Sequence, residues 1–133
     1  MEQMSIGELA KSASVNIETI RFYERRGLIP KPPRNKSGHR VFSNDDVLRT
    51  NFIKRAQALG FSLKEISELL SLRVESGVTC GDVKTRVDMK IKDVENRIAD
   101  LEDMRDALGR LSRKCTGKGP ISECPFLEEL NKW

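Results

Sequence analysis

The residues with the most distinctive chemistry are three cysteines, Cys80, Cys115 and Cys124, in a chain of 133 residues. A thiolate binds soft metal ions and is also readily oxidised. Residues 1–5 lack the basic and apolar stretch of a signal peptide, so we expect the chain to stay in the cytoplasm, where thiols are kept reduced. The cysteines therefore favour metal binding. A redox sensor and three buried apolar thiols are the alternatives.

Two of these thiols are predicted to lie near helix N-termini. Cys80 comes just before a long helix predicted over residues 82–112. Cys124 is followed by Pro125, and proline is favoured at the first helical position, so we expect Cys124 to cap a short final helix that ends near Leu130. The positive end of a helix dipole stabilises a thiolate, which is the form that binds metal.

The donor set predicts a very soft metal ion. Hg(II) accepts three sulfur ligands, whereas Zn(II) prefers four ligands in a tetrahedron. Residues 116–123 contain neither histidine nor cysteine, and the only histidine of the chain, His39, lies far away in the sequence. Three thiolates with no obvious fourth ligand therefore favour Hg(II).

The predicted helix over residues 82–112 carries a narrow apolar seam. Its apolar side chains step by four and three residues in alternation, as in a heptad repeat, through Val87, Ile91, Val94, Ile98 and Leu101. So narrow a stripe favours a second helix as its partner, most simply in a homodimer; the alternative is packing against its own domain. At about 46 Å, the helix is too long for Cys80 and Cys115 of one chain to share an ion.

Two short helices joined by a tight turn are predicted near the start of the chain, which is a helix-turn-helix pattern. Ser5 and Glu8 have the spacing of a capping box, Asn16 can cap the second helix, and Gly27 can end it. Side chains of the second helix that can reach base edges and phosphates include Thr19, Arg21, Tyr23 and Arg25.

A basic hairpin is predicted after this pair of helices. The prolines at positions 30, 32 and 33 exclude a helix over this segment, and residues 39–42 are predicted to form a short strand. Such a hairpin beside a helix-turn-helix is a wing that can hold phosphates. Residues 1–79 contain 13 Lys and Arg against 9 Asp and Glu, which accounts for the whole excess charge of +4. This distribution favours an anionic polymer as partner, although a merely solubilising surface is the alternative.

Two further helices are predicted, over residues 45–59 and 62–72. Gly60 can end the first, and Ser62 with Glu65 has the spacing of a second capping box. No stretch approaches the ~18 apolar residues of a membrane span, so no membrane partner is expected. The predicted fold class is mainly α.

Blocks of sequence at characteristic spacing run along almost the whole chain. They are Ile6-Gly7-Glu8-Leu9-Ala10, Val15-Asn16, Thr19-Ile20-Arg21-Phe22-Tyr23-Glu24-Arg25-Arg26-Gly27-Leu28, Arg40-Val41-Phe42-Ser43, Phe52-Ile53-Lys54-Arg55 and Leu59-Gly60-Phe61-Ser62-Leu63-Lys64-Glu65-Ile66. Together they resemble the MerR family of transcription regulators.

This resemblance implies a fold and a mechanism. It implies a winged helix-turn-helix DNA-binding domain over residues 1–79, an antiparallel coiled-coil dimerisation helix over residues 80–114, and a metal-binding loop and helix over residues 115–133. Regulators of this kind sit on double-stranded promoter DNA whose spacer is too long for RNA polymerase. Effector binding makes the dimer distort the DNA, which activates transcription. The implied activity is regulatory and not enzymatic.

The resemblance also implies DNA-contacting residues. Arg21 and Tyr23 would contact DNA from the recognition helix, Arg40 and Phe42 from the wing, and Arg55 from a second wing.

An antiparallel dimer would bring the cysteines together. The start of one helix meets the end of the other, so Cys80 of one subunit can join Cys115 and Cys124 of its partner, with two equivalent sites by symmetry. The spacing of the cysteines resembles the mercury-responsive branch best, which implies resistance genes as targets. Lead- and cadmium-responsive members share three cysteines, so Pb(II) and Cd(II) are the alternatives. Zinc-responsive members carry additional ligands in the loop, and sensors of monovalent ions have serine at the position of Cys80.

Two other classes of function are disfavoured. No nucleophile with an adjacent base and no phosphate-cradling loop supports an enzyme. A family member that senses organic effectors would need a large ligand domain, and about 20 residues after the predicted dimer helix are too few to enclose a drug-sized pocket.

Overall fold

The computed structural model describes residues 3–132. Its helices are α1 (Ile6–Ser12), α2 (Ile17–Arg25), α3 (Asn44–Ala58), α4 (Leu63–Val74), α5 (Cys80–Arg113) and α6 (Pro125–Leu130), with a 3₁₀ turn at Ile121–Glu123. The expectation of a mainly α fold is confirmed. The chain divides into two compact units, one up to Val87 and one from Asp88 onward, so the division falls inside α5.

The first two helices begin where the sequence predicts, because local capping bonds fix their starts. The backbone N–H of Ser5 donates to Oε1 of Glu8 at 3.2 Å, and the N–H of Glu8 donates to Oγ of Ser5 at 3.2 Å. Oδ1 of Asn16 accepts from the backbone N–H of Thr19 at 2.8 Å. These bonds satisfy amide groups that have no partner inside the helix.

The core of the first unit is formed where α1, α2, α3 and α4 pack together with the segment before α3. Its fully buried apolar side chains are Leu9, Ile20, Leu28, Ile29, Phe42, Ile53 and Ile66. Burying side chains of this size contributes roughly 1.5–3 kcal/mol each, so this cluster supplies most of the stability of the unit.

The hairpin before α3 differs from the predicted one. Within the described residues, the predicted strand over residues 39–42 is replaced by isolated bridges, one between Arg34 and Arg40 and one between Met4 and Phe42. The backbone N–H of Val41 donates to the carbonyl of Pro33 at 2.9 Å. Because prolines have no N–H to donate, they cannot extend this pairing into a regular ladder.

Helix α3 is tied to the other helices of its unit by polar bonds. Nζ of Lys54 donates to the carbonyl of Ala13 at 2.7 Å, just after the end of α1. Gly60 follows α3 with a φ of 94°, a left-handed conformation that glycine adopts without strain. The N–H of Ser62 donates to Oε1 of Glu65 at 2.7 Å, and Oγ of Ser62 accepts from the N–H of Glu65, so the second predicted capping box is confirmed.

Helix α5 is one continuous helix of 34 residues. It begins at Cys80, earlier than the predicted start at residue 82, because Thr79 caps it. The N–H of Thr79 donates to Oδ2 of Asp82 at 2.8 Å, and the N–H of Asp82 donates back to Oγ1 of Thr79 at 3.3 Å. At ~1.5 Å per residue the helix is about 51 Å long.

The predicted seam of α5 is open to solvent in the single chain. Its exposed fractions are 39% for Val87, 49% for Ile91, 37% for Val94, 50% for Ile98 and 61% for Leu101. Apolar side chains repeated on one face at heptad spacing are typical of a helix that packs against another helix.

Among the described residues, no helix combines the length and the apolar character that crossing a membrane would require.

Candidate metal centre and DNA interface

The three cysteines are free thiols within reach of solvent. Cys80 and Cys115 are exposed, and Cys124 is half-buried. Cys80 is the first residue of α5, so it lies inside the helix and not before it. A thiol at this position is close to the positive end of the longest helix of the chain.

The other two thiols border the loop between α5 and α6. Sγ of Cys115 accepts a hydrogen bond from the backbone N–H of Gly117 at 3.4 Å. Cys124 is the N-cap of α6 and Pro125 is its first residue, as predicted. In the loop between Cys115 and Cys124, Gly117 and Gly119 have φ angles of 83° and 106°. These are left-handed conformations that glycine adopts without strain and that residues with a Cβ atom rarely adopt.

One chain by itself does not complete a metal site. Within residues 3–132, no group of three or more His, Cys, Asp or Glu side chains is placed to hold a metal ion. Cys80 begins α5 and Cys115 follows its end, and α5 is about 51 Å long. The donor chemistry nevertheless fits a soft ion, since all three sulfur atoms are free to ligate. That the three thiols share one ion across two copies of the chain stays a prediction.

The recognition-helix residues predicted to contact DNA differ in their availability. Arg21 is exposed on α2, and its Nη1 atom lies 2.8 Å from Oε1 of Glu18 in an exposed ion pair. Such a pair is weak and can exchange for a phosphate or a base edge. The hydroxyl of Thr19 is half-buried and already donates to Oδ1 of Asn16 at 2.8 Å, so it serves the helix cap. Arg21 is the better placed donor.

Tyr23 lies mostly inside the first unit. Its exposed fraction is 3%, and its hydroxyl donates to Oε1 of Gln57 at 2.7 Å. Burial raises the pKa of the Tyr23 phenol above its ordinary value. The hydroxyl therefore connects α2 to α3, and a contact with DNA stays a prediction.

The structure requires a correction at Phe42. Its exposed fraction is 0%, and its backbone pairs with Met4 through bonds of 2.7 and 2.9 Å. A ring without exposed surface cannot touch DNA in this conformation, so Phe42 anchors the hairpin to the core instead. The sequence does not reveal which way an apolar ring beside a basic hairpin faces.

The remaining two arginines occupy different surroundings. Arg55 is exposed in the last turn of α3, which makes it available for a phosphate. Arg40 is partly exposed, and its Nη1 atom lies 2.7 Å from Oε2 of Glu24 on α2. Sequence reasoning missed Glu24 and Gln57, because each meets its partner only through tertiary packing.

Family models and curated relatives of one family match almost the whole chain. The family model described as MerR HTH family regulatory protein matches residues 4–73, and the model described as MerR, DNA binding matches residues 47–111. A mercuric resistance operon regulatory protein of Bacillus cereus is 44% identical over 127 residues, which are 96% of this chain and 96% of that protein. The HTH-type transcriptional regulator ZntR of Escherichia coli is 41% identical over 129 residues, which are 96% of this chain and 92% of that protein.

Two solved structures are similar in both fold and sequence. The regulator PbrR691 of Ralstonia metallidurans, solved in complex with lead(II), has a TM-score of 0.85 and 36% identity, covering 96% of this chain and 98% of that one. The dual-function regulator MerR of Bacillus megaterium, solved in complex with mercury(II), has a TM-score of 0.73 and 39% identity, with the same coverage. With a family model matched over residues 4–73 and relatives 41% and 44% identical along nearly its whole length, the chain belongs to the MerR family of helix-turn-helix transcription regulators.

Proposed function

We propose that this chain is a metal-responsive regulator that binds promoter DNA as a homodimer and responds to Hg(II) through Cys80 of one subunit and Cys115 and Cys124 of the other. The observation that carries the proposal is the placement of the free thiols: Cys80 begins one continuous helix with an exposed apolar seam, Cys115 lies just after its end, and Cys124 caps the next helix. An antiparallel pairing along that seam is the arrangement that brings the two ends together.

Within this proposal the three parts of the chain have separate tasks. Residues 1–79 bind DNA with Arg21, Arg40 and Arg55, residues 80–114 hold the dimer together, and residues 115–133 supply two of the three sulfur ligands. The metal binds one conformation of the dimer more tightly than the other, so its binding shifts the dimer toward that conformation. The difference in binding free energy offsets the cost of distorting promoter DNA, which is of order 1–6 kcal/mol. The distortion allows RNA polymerase to engage both promoter elements.

Mercury is proposed over zinc because of the donor set. The loop from Thr116 to Glu123 offers no histidine and no additional cysteine, so a tetrahedral site would lack its fourth strong ligand. The relative named for mercuric resistance is also slightly more similar to this chain than ZntR is, at 44% against 41% identity.

Lead(II) is the second candidate, and cadmium(II) the third. The fold agrees better with the lead-bound PbrR691 structure, at a TM-score of 0.85, than with the mercury-bound structure, at 0.73. Both ions accept thiolate ligands.

A metal titration tests the proposal. The reduced protein is titrated with Hg(II), Pb(II), Cd(II) and Zn(II) in the presence of a competing small thiol, and ultraviolet charge-transfer absorbance reports sulfur coordination. We expect Hg(II) to bind most tightly and to activate transcription from a bound promoter, with Cys80→Ser as the matched control that removes one ligand. Tighter binding of Pb(II) or Cd(II), together with activation by that ion, would reassign the effector.

A further inference from the structure

One acidic side chain of α2 is buried among arginines. Glu24 is 7% exposed, and its Oε2 atom lies 2.7 Å from Nη1 of Arg40, which is 38% exposed. The two residues are 16 positions apart, one on α2 and one on the hairpin before α3. This pair is therefore a charged link between the predicted recognition helix and the predicted wing.

The second carboxylate oxygen of Glu24 has no hydrogen-bond donor. Among the side-chain atoms of the described residues, Oε1 of Glu24 is buried and unpartnered. Buried polar atoms are nearly always paired, since leaving one unpaired is costly, so an exception calls for an explanation. A carboxylate that is held by a single guanidinium depends on that guanidinium for its charge balance.

Glu24 lines a surface depression of about 290 Å³ whose other lining residues are Ile6, Arg21, Arg25 and Arg40. Three positive side chains thus border the depression, with one negative group at its wall. An anion that approaches is attracted by the arginines and repelled by Glu24. The guanidinium of Arg40 has five N–H donors, so holding Glu24 with Nη1 leaves others for a phosphate.

We propose that Glu24 is a positioning residue for DNA binding: it fixes Arg40 against the recognition helix and, through its negative charge, weakens the attraction of Arg40 for DNA of any sequence. The inference rests on the proposed DNA-binding function of residues 1–79. Sequence-independent affinity comes mainly from positive charge near phosphates, whereas specific affinity also requires the hairpin and the helix to be held in register. Glu24 therefore raises the ratio of specific to non-specific affinity.

The test separates charge from shape with the variant Glu24→Gln. Glutamine keeps an oxygen to accept from Arg40 but carries no charge, and a neutral acceptor holds a guanidinium less tightly. Two duplexes serve as probes: the tightest duplex that the wild-type protein selects from a randomised pool, and a mixed-sequence duplex of the same length. Affinity for each is measured at several salt concentrations, and thermal unfolding confirms that the variant is folded.

We expect Glu24→Gln to bind the mixed-sequence duplex about 3–10-fold more tightly, with a steeper salt dependence. Its affinity for the selected duplex should rise less, so the ratio of the two affinities should fall about threefold or more. In a chain that also carries Arg40→Gln, Glu24→Gln should have a much smaller effect, no larger than that of removing an exposed acidic charge of the same helix, because the rest of its effect acts through Arg40. The matched control Glu18→Gln, which removes an exposed acidic charge of the same helix, should act independently of Arg40.

Two results with Glu24→Gln overturn the inference. One is an unchanged affinity ratio in Glu24→Gln; the other is the same effect of Glu24→Gln whether or not Arg40 is present. If the Arg40→Gln chains fail to fold, Arg40→Lys takes their place: an ammonium keeps the charge but not the fork of donors, so the selected duplex should lose about tenfold or more in affinity while the mixed duplex changes little. No loss on the selected duplex contradicts the proposal. Failure of the wild-type protein to prefer any duplex would instead count against the proposed function.

Discussion

The hydroxyl of Tyr23 donates a hydrogen bond of 2.7 Å to Oε1 of Gln57, a residue 34 positions later in the chain. The bond joins α2 to α3, so α2 is held against the rest of its unit by a phenol that is 3% exposed. Because burial disfavours the charged phenolate, the pKa of Tyr23 is raised above its ordinary value of 10.0.

The first prediction concerns this phenol. Tyr23 is the only tyrosine of the chain, so the ultraviolet absorbance of tyrosinate reports it alone. In the folded protein the titration midpoint should lie above 10.0, and in concentrated urea it should return to about that value. The raised pKa contributes stability that is fully present below the unfolded value and is lost as pH rises through the folded value.

Tyr23→Phe should remove this part of the alkaline loss of stability, and at neutral pH it should lower the free energy of unfolding by about 0.5–1.5 kcal/mol. Urea unfolding at several pH values measures both effects. A native midpoint at or below the midpoint in urea would show that the phenol is not buried as described. If the phenylalanine variant also loses DNA affinity while folded, the predicted DNA contact of Tyr23 gains support.

The second prediction concerns Phe42, which is fully buried. Phe42→Ala should lower the free energy of unfolding by about 3–5 kcal/mol, as expected for a large aromatic ring removed from a core. Phe22→Ala is the matched control, since Phe22 is 38% exposed and its loss should cost far less. Phe42→Leu keeps most of the packing and should bind DNA normally once folded. If the leucine variant folds but has lost DNA affinity, that result would support a direct contact of Phe42 with DNA and would contradict its purely structural role.

Features that depend on neighbours in sequence were predictable. The bonds of Ser5 with Glu8 and of Asn16 with Thr19 join residues three positions apart, and the cap at Cys124 follows from the proline beside it. The start of α5 at Cys80 was also predictable from neighbouring residues. Thr79 and Asp82 have capping spacing, and this capping places the start at Cys80, two residues before the start predicted from the apolar seam.

Features that depend on tertiary packing were not predictable from the chain alone. The link between Arg40 and Glu24 spans 16 positions, and neither residue type by itself indicates the pair. The family resemblance implied that Phe42 contacts DNA, yet its backbone pairs with Met4 and its side chain lies in the core. For the metal site, the sequence supplied the thiols and the helix length, and its assembly across two chains stays a prediction.

The third prediction is that the seam of α5 holds a dimer. Ile91→Asp together with Ile98→Asp should yield monomers, because two charges would be buried against the partner helix. Asn96→Asp together with Ala99→Asp is the control: it adds the same charge to the same helix, away from the seam. Sedimentation at several protein concentrations measures the outcome. A dimer that survives the seam substitutions but not the control would place the interface on another face.

The fourth prediction concerns Arg21. Its ion pair with Glu18 is exposed, at 52% and 71%, so Arg21→Ala should change stability little. If Arg21 contacts a base edge, the substitution should weaken binding to a selected duplex by roughly 1–3 kcal/mol and should relax its sequence preference. Binding isotherms on the selected duplex and on single-base variants measure this. A uniform loss on all sequences would assign Arg21 to a phosphate instead.

The central claim is that one metal site is built from two chains, and a mixed dimer tests it most directly. A Cys80→Ala chain keeps Cys115 and Cys124, and a Cys115→Ala, Cys124→Ala chain keeps only Cys80. Neither homodimer can supply three thiolates to one ion, whereas a dimer of one chain of each kind can supply them at one end. Rescue within a single chain is excluded by a helix of about 51 Å between Cys80 and Cys115.

The measurement is Hg(II) affinity and charge-transfer absorbance of the purified mixed dimer, carried out beside both parental homodimers in the same competing thiol. We expect the mixed dimer to regain tight binding and the absorbance of three-sulfur coordination, at one site per dimer, while both parents lack them. A mixed dimer that binds Hg(II) no better than its parents, while the wild-type protein binds it tightly, would contradict the site shared across the dimer.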